Sequence, residues 1–537
     1  MRSRIGTVGL FALVAACGDR PDSYETPFAA QAESFALTNR VAVVDKNANR
    51  VGLLVPKAGQ ELATSFVPIG RSQIRAQVAP DGKRLFVLSA GDVPRRKDKN
   101  ERPSLTVIDD AGGARRFDLE SLHSDLALDP RGRYVALFAK PGRSNDPFLA
   151  QASFVENPNE ILIVDLEEGT VTPRTIRSFG GQPQRVTFTD PLNLPRGQRR
   201  LLVVETDQDV HLLDLDNLRA TPRRPEITVR LTSGSSTNAL RPAAIAVDDG
   251  LSERNDDTRI GVRVENDSSV FTLTLVDAEP GPGDEPDTIS NDFRPEVNLT
   301  EVGGTPGDIV FVRTDLGVRL AAVVPNTRKV VLFDPQTSIT SEVDVNGAFS
   351  RISLITSVVD AQAGTDTALL YGEGQTNGVA FLSLGKAVGQ TYRTVEIVPL
   401  SSSVSTVRDV PPPRPELKVL QGGGNAFFVL NLASRTAAPL TTLQQAAIHV
   451  APDGQRLWAF QQGAQNLSEV TLDNLHPIPL TLDRPITAVY DVEREGGGRS
   501  LIALDMRGSV GATVLDAIDP DTTASRSYYG LMLEKLQ

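Results

Sequence analysis

One turn unit recurs along this chain, and it limits the possible folds more than any other feature. Residues 78–87 read Val-Ala-Pro-Asp-Gly-Lys-Arg-Leu-Phe-Val. Residues 126–135 read Leu-Ala-Leu-Asp-Pro-Arg-Gly-Arg-Tyr-Val, and residues 450–458 read Val-Ala-Pro-Asp-Gly-Gln-Arg-Leu-Trp. Each is a short apolar segment, a tight turn and a second apolar segment. Proline presets one turn dihedral, and Asp and Gly supply the rest of the turn chemistry. A second pattern is an alternating strand that ends in aspartate. It occurs at residues 41–45, 105–109, 161–165, 210–214, 273–277 and 330–334. Short strands repeating at about 40 to 65 residues, four to a unit, predict a radial array of small sheets.

The expectation is therefore an all-β chain with a single β-propeller over residues 38–537. First strands are placed near residues 74, 125, 185, 243, 308, 352, 405, 447 and 487. The strand around Val41 to Val44 precedes all of these turn units. It is expected to pair beside the strands after Thr487, which would close the ring and remove an open edge. The resulting count is about eight four-stranded blades, with seven or nine as alternatives. The 43 glycines and 36 prolines fit frequent turns, and the apolar runs are rich in Val, Ile, Leu and Thr.

These turn and strand motifs resemble the YVTN and WD40-like propeller families, which share the Pro-Asp-Gly-x-x-Leu turn and the Val-x-Val-hydrophobic-Asp strand. The Trp-Asp and Gly-His pairs of true WD40 repeats are absent. The resemblance implies the fold. It also implies an alternative function, a lactonase- or lyase-like propeller enzyme or a small-ligand binder that uses the central channel, because some YVTN-like propellers are lactonases or lyases with their residues around that channel. Fold analogy alone is a weak warrant for such an activity.

The second strong signal is Cys17, the only cysteine. Arg2 and Arg4 precede an apolar run from Ile5 to Ala16, which is short of the ~20 residues that span hydrocarbon. Gly18, Asp19, Arg20 and Pro21 follow at once. This is the layout of a secretory signal peptide, and Leu13-Val14-Ala15-Ala16-Cys17 resembles the lipobox of bacterial lipoproteins. The resemblance implies cleavage of residues 1–16 and acylation of Cys17. Residues 17–37 then read as the lipidated cysteine and a flexible tether. Gly18 in place of aspartate implies passage to the outer membrane of a bacterial cell envelope. A single acyl chain binds a membrane only marginally, so two or three chains are expected on the thiol and the new N-terminus.

Charge narrows the partners. The formal net charge is −12, and removal of residues 1–16 deepens it. An acidic chain without a basic stripe does not favour nucleic acid. The expected partners are the membrane, through the lipid on Cys17, and an envelope protein, with the propeller itself monomeric.

Sites of chemistry are sparse. The four histidines, His123, His211, His449 and His476, lack metal-ligand spacing, so no metal or cofactor is expected. The glycine runs 422–424 and 496–498 read as hairpin turns, because neither leads into a helix. The stretch 234–237 reads as a loop. Two further stretches stand out by charge, a basic one at 95–102 and an acidic one at 277–287, and both read as solvated insertions able to contact partners. Trp458, the only tryptophan, is expected to pack between blades. Cys17 is therefore the one site residue named, as a lipidation site, and the expected function is a lipid-anchored interaction scaffold.

Overall fold

In the computed structural model the described residues are 32–92, 101–141, 157–194, 197–219, 226–232, 239–250, 258–278, 291–356, 364–373, 376–387, 389–440 and 447–533. Cys17, the signal segment, most of the basic and acidic stretches, and residues 234–237 lie outside them. The described residues are almost wholly strand and turn. Helix is limited to three 3₁₀ turns of three residues each, and none is long and apolar enough to cross a membrane.

The strands form ten four-stranded antiparallel sheets and one two-stranded ribbon. Numbered as blades, the sheets cover residues 33–68, 73–118, 125–175, 183–230, 242–301, 308–344, 351–399, 404–439, 447–481 and 488–528. The fold is an all-β β-propeller of ten blades. This corrects the expected count of about eight, and also the alternatives of seven and nine. The nine expected first strands all lie within two residues of an observed first strand, three of them ahead of the turn units. The tenth blade comes from the N-terminus. Glu33–Leu37 is itself a strand, and residues 33–68 complete a sheet of their own.

The expected closure is corrected by the same finding. Arg40–Asp45 pairs with Glu33–Leu37 on one side and Arg50–Lys57 on the other. It does not join the sheet of residues 488–528, whose strands also pair only with one another. The physical reason lies in the aspartate. Asp109 and Asp165 end the third strands of their sheets, whereas Asp45 ends a second strand. In each case the carboxylate accepts backbone N–H groups of the following turn: Ala48 for Asp45 at 3.0 Å, Ala111 and Gly113 for Asp109 at 3.0 and 2.7 Å, and Glu167 and Glu168 for Asp165 at 3.0 and 3.1 Å. Such a cap serves any hairpin end, so the motif marks a turn without fixing which strand precedes it.

The Pro-Asp-Gly unit has an equally local cause. The Ala79 N–H donates to the Arg84 carbonyl at 2.8 Å and the Gly82 N–H to the Ala79 carbonyl at 2.9 Å. Residues 451–456 repeat both bonds at 3.0 Å. Gly82, Gly132 and Gly454 take φ of 70°, 74° and 65°, the left-handed region where a side chain is costly.

The described chain gathers into two compact units. The first holds blades 1, 2 and 10, and the second holds blades 3 to 8 and most of blade 9. Within the first unit the two ends of the chain meet face to face. Successive side chains of a strand point to opposite faces. Val41 and Val43 of blade 1 therefore pack on Val492, Ile502 and Leu504 of blade 10, while Ala42 and Val44 pack on Leu85, Val87 and Ile108 of blade 2. Tyr490 adds a hydroxyl bond to the Ser34 carbonyl at 2.7 Å, and Tyr528 one to the Gln60 carbonyl at 2.9 Å. Within the second unit, Tyr134, Ile161 and Ile163 of blade 3 face Val186, Leu202 and Val204 of blade 4, and Val203 and Leu212 of blade 4 face Ile260 and Phe271 of blade 5. Fourth strands are the most open, as at Ala114–Asp118 and Thr340–Asp344, where one residue in five is buried.

Candidate binding pocket between the third and fourth blades

The turn aspartates carry arginines with them, and in the second unit this builds a charged seam. Asp165 ends the third strand of blade 3, and Arg133 opens the hairpin beside it. The Arg133 Nε and Nη2 donate to Asp165 Oδ2 at 3.3 and 3.0 Å. The same guanidinium lies 3.5 Å from Glu167 and 3.7 Å from Glu168, and Arg219 of blade 4 pairs with Glu168. Beneath it, the Arg133 guanidinium sits 4.9 Å above the Tyr134 ring, which lies parallel to Phe188 of blade 4 at 6.5 Å.

These groups line a cavity of about 220 Å³, together with Ile163, Thr172, Leu215, Asp216 and Leu218. Burial alone would raise the Asp165 carboxyl, but the Glu168 amide and the Arg133 guanidinium outweigh it and hold it below the usual range. The pocket is thus an apolar floor under a mixed-charge rim. That chemistry suits a polar or zwitterionic group, such as a charged side chain of a partner protein.

Two more buried clusters flank the pocket in sequence. Asp129 takes the first position of its turn unit, and its side chain is fully buried. It accepts the N–H groups of Arg131, Arg133 and Tyr134 at 3.0 to 3.2 Å and the Nη1 of Arg200 at 3.0 Å. In blade 4, Asp209 and His211 are fully buried. His211 Nε2 lies 2.8 Å from Asp209 Oδ1, and its Nδ1 lies 3.0 Å from the Thr228 hydroxyl. Asp209 also accepts the Ser178 hydroxyl at 2.9 Å, the Phe179 N–H at 2.8 Å and the Thr206 hydroxyl at 2.5 Å. The network pins the loop of residues 176–182 to the end of the blade.

His123 is buried, and desolvation lowers its imidazole to about 4, so the ring is neutral near pH 7. Among the described residues no three of His, Cys, Asp and Glu are grouped to hold a metal ion. Trp458 is wholly buried on Arg456–Phe460, between His449 and Glu469 across its sheet, and is no binding platform. From the acidic stretch and its neighbours, Asp292 is spent on Arg199 at 2.7 Å. From the basic stretch, Glu101 pairs with Arg116 at 2.9 Å and Arg102 with Glu120 at 2.9 Å. The glycines 496–498 carry φ of 88°, 102° and 81° in the turn before Arg499–Asp505, so that run is a glycine hairpin.

The blades define a β-propeller protein. No protein family and no curated protein sequence matches the chain. Among solved structures it is similar to a dihydro-heme d1 dehydrogenase, at 11% identity and a TM-score of 0.41 over 71% of this chain and 72% of that one. It is also similar to a eukaryotic initiation factor, at 12% identity and a TM-score of 0.40 over 85% and 97% of the two chains. A third is a catalytically inactive virginiamycin B lyase from Staphylococcus aureus with quinupristin, at 11% identity and a TM-score of 0.32 over 66% and 93%. The ten blades are defined by the strand pairing itself.

Proposed function

We propose that this chain is a lipid-anchored protein of a bacterial envelope whose ten-bladed propeller serves as a scaffold for protein–protein interaction. The observation that carries the anchoring is Cys17, the sole cysteine, placed directly after a charged start and a short apolar run. The scaffold reading is supported by where the polar side chains go. The seam of Arg133, Asp165, Glu168, Arg199, Arg200 and Asp129 is spent on ion pairs within and between sheets. The pocket of blades 3 and 4 leaves a mixed-charge mouth of side-chain size, and loops and edges of such a frame are where partners dock. Gly18 after the cysteine favours the outer membrane as the destination.

Fractionation of cells expressing the full chain tests this. The wild-type chain is expected in the membrane fraction and released only by detergent, and Cys17→Ala is expected in the soluble fraction. Equal distribution of the two proteins contradicts the anchoring. Cross-linking of the membrane-bound chain, followed by recovery of a specific partner that is lost on Arg133→Glu, tests the scaffold reading.

A further inference from the structure

A second charged cluster lies in the second unit, on the first and second strands of blades 4 to 7, apart from the pocket described above. Arg185 sits on Pro183–Phe188 and faces Glu205 of Leu201–Thr206. Arg263 sits on Arg259–Val264 of blade 5. A bulge between Pro242 and Ala244 turns the Ala243 carbonyl toward both arginines. Arg185 Nη1 donates to it at 3.1 Å, and Arg263 Nη2 at 3.5 Å. Two guanidinium groups therefore converge on one neutral acceptor. Arg263 gains only one further acceptor, the Pro306 carbonyl at 3.3 Å, and its Nε has no partner among the described residues.

Two acids, Glu205 and Asp308, face these guanidinium groups and offset part of their charge, but neither offers Arg185 or Arg263 a hydrogen bond. Glu205 has a side chain only 2% exposed, and its Oε2 stays 3.7 Å from Arg185, beyond hydrogen-bond distance. Its Oε1 is buried without a hydrogen-bond partner among the described residues. Burial holds the carboxyl above its ordinary range, ahead of the opposing pull of Arg185 and Arg263. Asp308 spends its two oxygens on the N–H groups of Ile309 at 3.0 Å and Ile352 at 3.2 Å. Arg351 opens the first strand of blade 7 beside Ile352, whose N–H reaches Asp308 at 3.2 Å, so its guanidinium enters the cluster from the far side of that carboxylate; it is exposed, and its side chain makes no hydrogen bond or ion pair among the described residues. Convergent, under-partnered guanidinium forks are the geometry that recognises planar or tetrahedral oxyanions bidentately.

We propose that Arg185, Arg263 and Arg351 form a binding site for a small oxyanion with two or more negative charges, of the carboxylate or phosphate class. Glu205 backs the site and limits its charge. The site stands independently of whether Cys17 carries lipid. The test is calorimetric titration of the full chain with citrate and, separately, with inorganic phosphate, at matched ionic strength. Saturable binding at one site per chain is expected with at least one of them, and the better ligand identifies the source. Arg351→Gln, which alters an exposed and unpartnered side chain, is expected to keep the native circular dichroism and melting temperature and to weaken binding about tenfold. Glu205→Gln is expected to retain or tighten it, because a competing carboxylate is gone. Absence of saturable binding to both anions overturns the proposal, as does equal affinity of the wild-type and Arg351→Gln chains.

Discussion

Removal of residues 1–68 is expected to abolish cooperative folding, whereas a chain that begins at residue 32 is expected to melt as a folded protein. The reason is the packing of blade 1 within the first unit. Its sheet covers Leu85, Val87 and Ile108 of blade 2 on one face and Val492, Ile502, Leu504 and Met506 of blade 10 on the other. Each such side chain contributes about 1.5–3 kcal/mol when fully buried. Uncovering even half of them rivals the about 5–15 kcal/mol that holds a typical domain together. The deletion also removes the Ser34 and Gln60 carbonyls that accept the Tyr490 and Tyr528 hydroxyls. Thermal denaturation followed by circular dichroism separates the outcomes. A cooperative transition in the chain lacking residues 1–68, within a few degrees of the longer chain, would mean that blade 1 is dispensable.

The second large effect is expected at Arg200. Its guanidinium grips the fully buried carboxylate of Asp129 and also donates to the Thr189 carbonyl at 3.3 Å. Burial by itself raises the Asp129 carboxyl, but Arg200 and the turn amides reverse this and leave it below its ordinary range. Arg200→Met leaves that charge buried with backbone partners alone, and breaking a buried pair from one side costs about 3–5 kcal/mol. In the wild type, a carboxyl lowered on folding contributes stability above its unfolded value, about 3.9, and the contribution is lost as pH falls through the folded value. In Arg200→Met the chief counterweight to burial is gone and the carboxyl rises. The stability gap between the two proteins is therefore expected to narrow as pH falls from 7 toward 4. Urea unfolding at several pH values measures it. Asp129→Asn added to Arg200→Met is expected to restore part of the loss. A gap under about 1 kcal/mol at pH 7 would show that the pair carries little stability.

Much of the fold was legible in the residues because its signals are local. A Pro-Asp-Gly turn and an aspartate cap each depend on a few consecutive residues, and together with the repeat spacing they let nine units be placed from sequence. Blade 1 was hidden for the same reason. Glu33–Leu37 is five residues joined to Arg40–Asp45 through Thr38 and Asn39, without Pro-Asp-Gly. Its neighbour also carries the aspartate cap on a second strand. Which sheet a strand joins is settled by faces: Val41 and Val43 toward blade 10, Ala42 and Val44 toward blade 2.

The candidate sites were less legible. Arg133 and Asp165 stood in recognised motifs, but only as turn residues, and their meeting with Arg219 depends on how two blades pack. Asp209 and His211, two apart, gave no recognised spacing, because their partners Ser178 and Thr228 lie on other segments. Arg185, Arg263 and Arg351 come from three different blades, and a bulge at Ala243 aims two of them at one point. Cross-strand register of this kind is invisible in a linear reading.

A tenth blade requires residues 33–68 to form a complete sheet of their own. Amide hydrogen exchange of the full chain, read on peptides covering Glu33–Leu37, tests this most directly. The amides of that strand that bond to Arg40–Asp45 are expected to exchange as slowly as those joining Arg40–Asp45 to Arg50–Lys57, because both ladders belong to one buried sheet. Complete exchange of Glu33–Leu37 within the mixing time, with Arg40–Asp45 still protected, would contradict a tenth blade and return the segment to a tether.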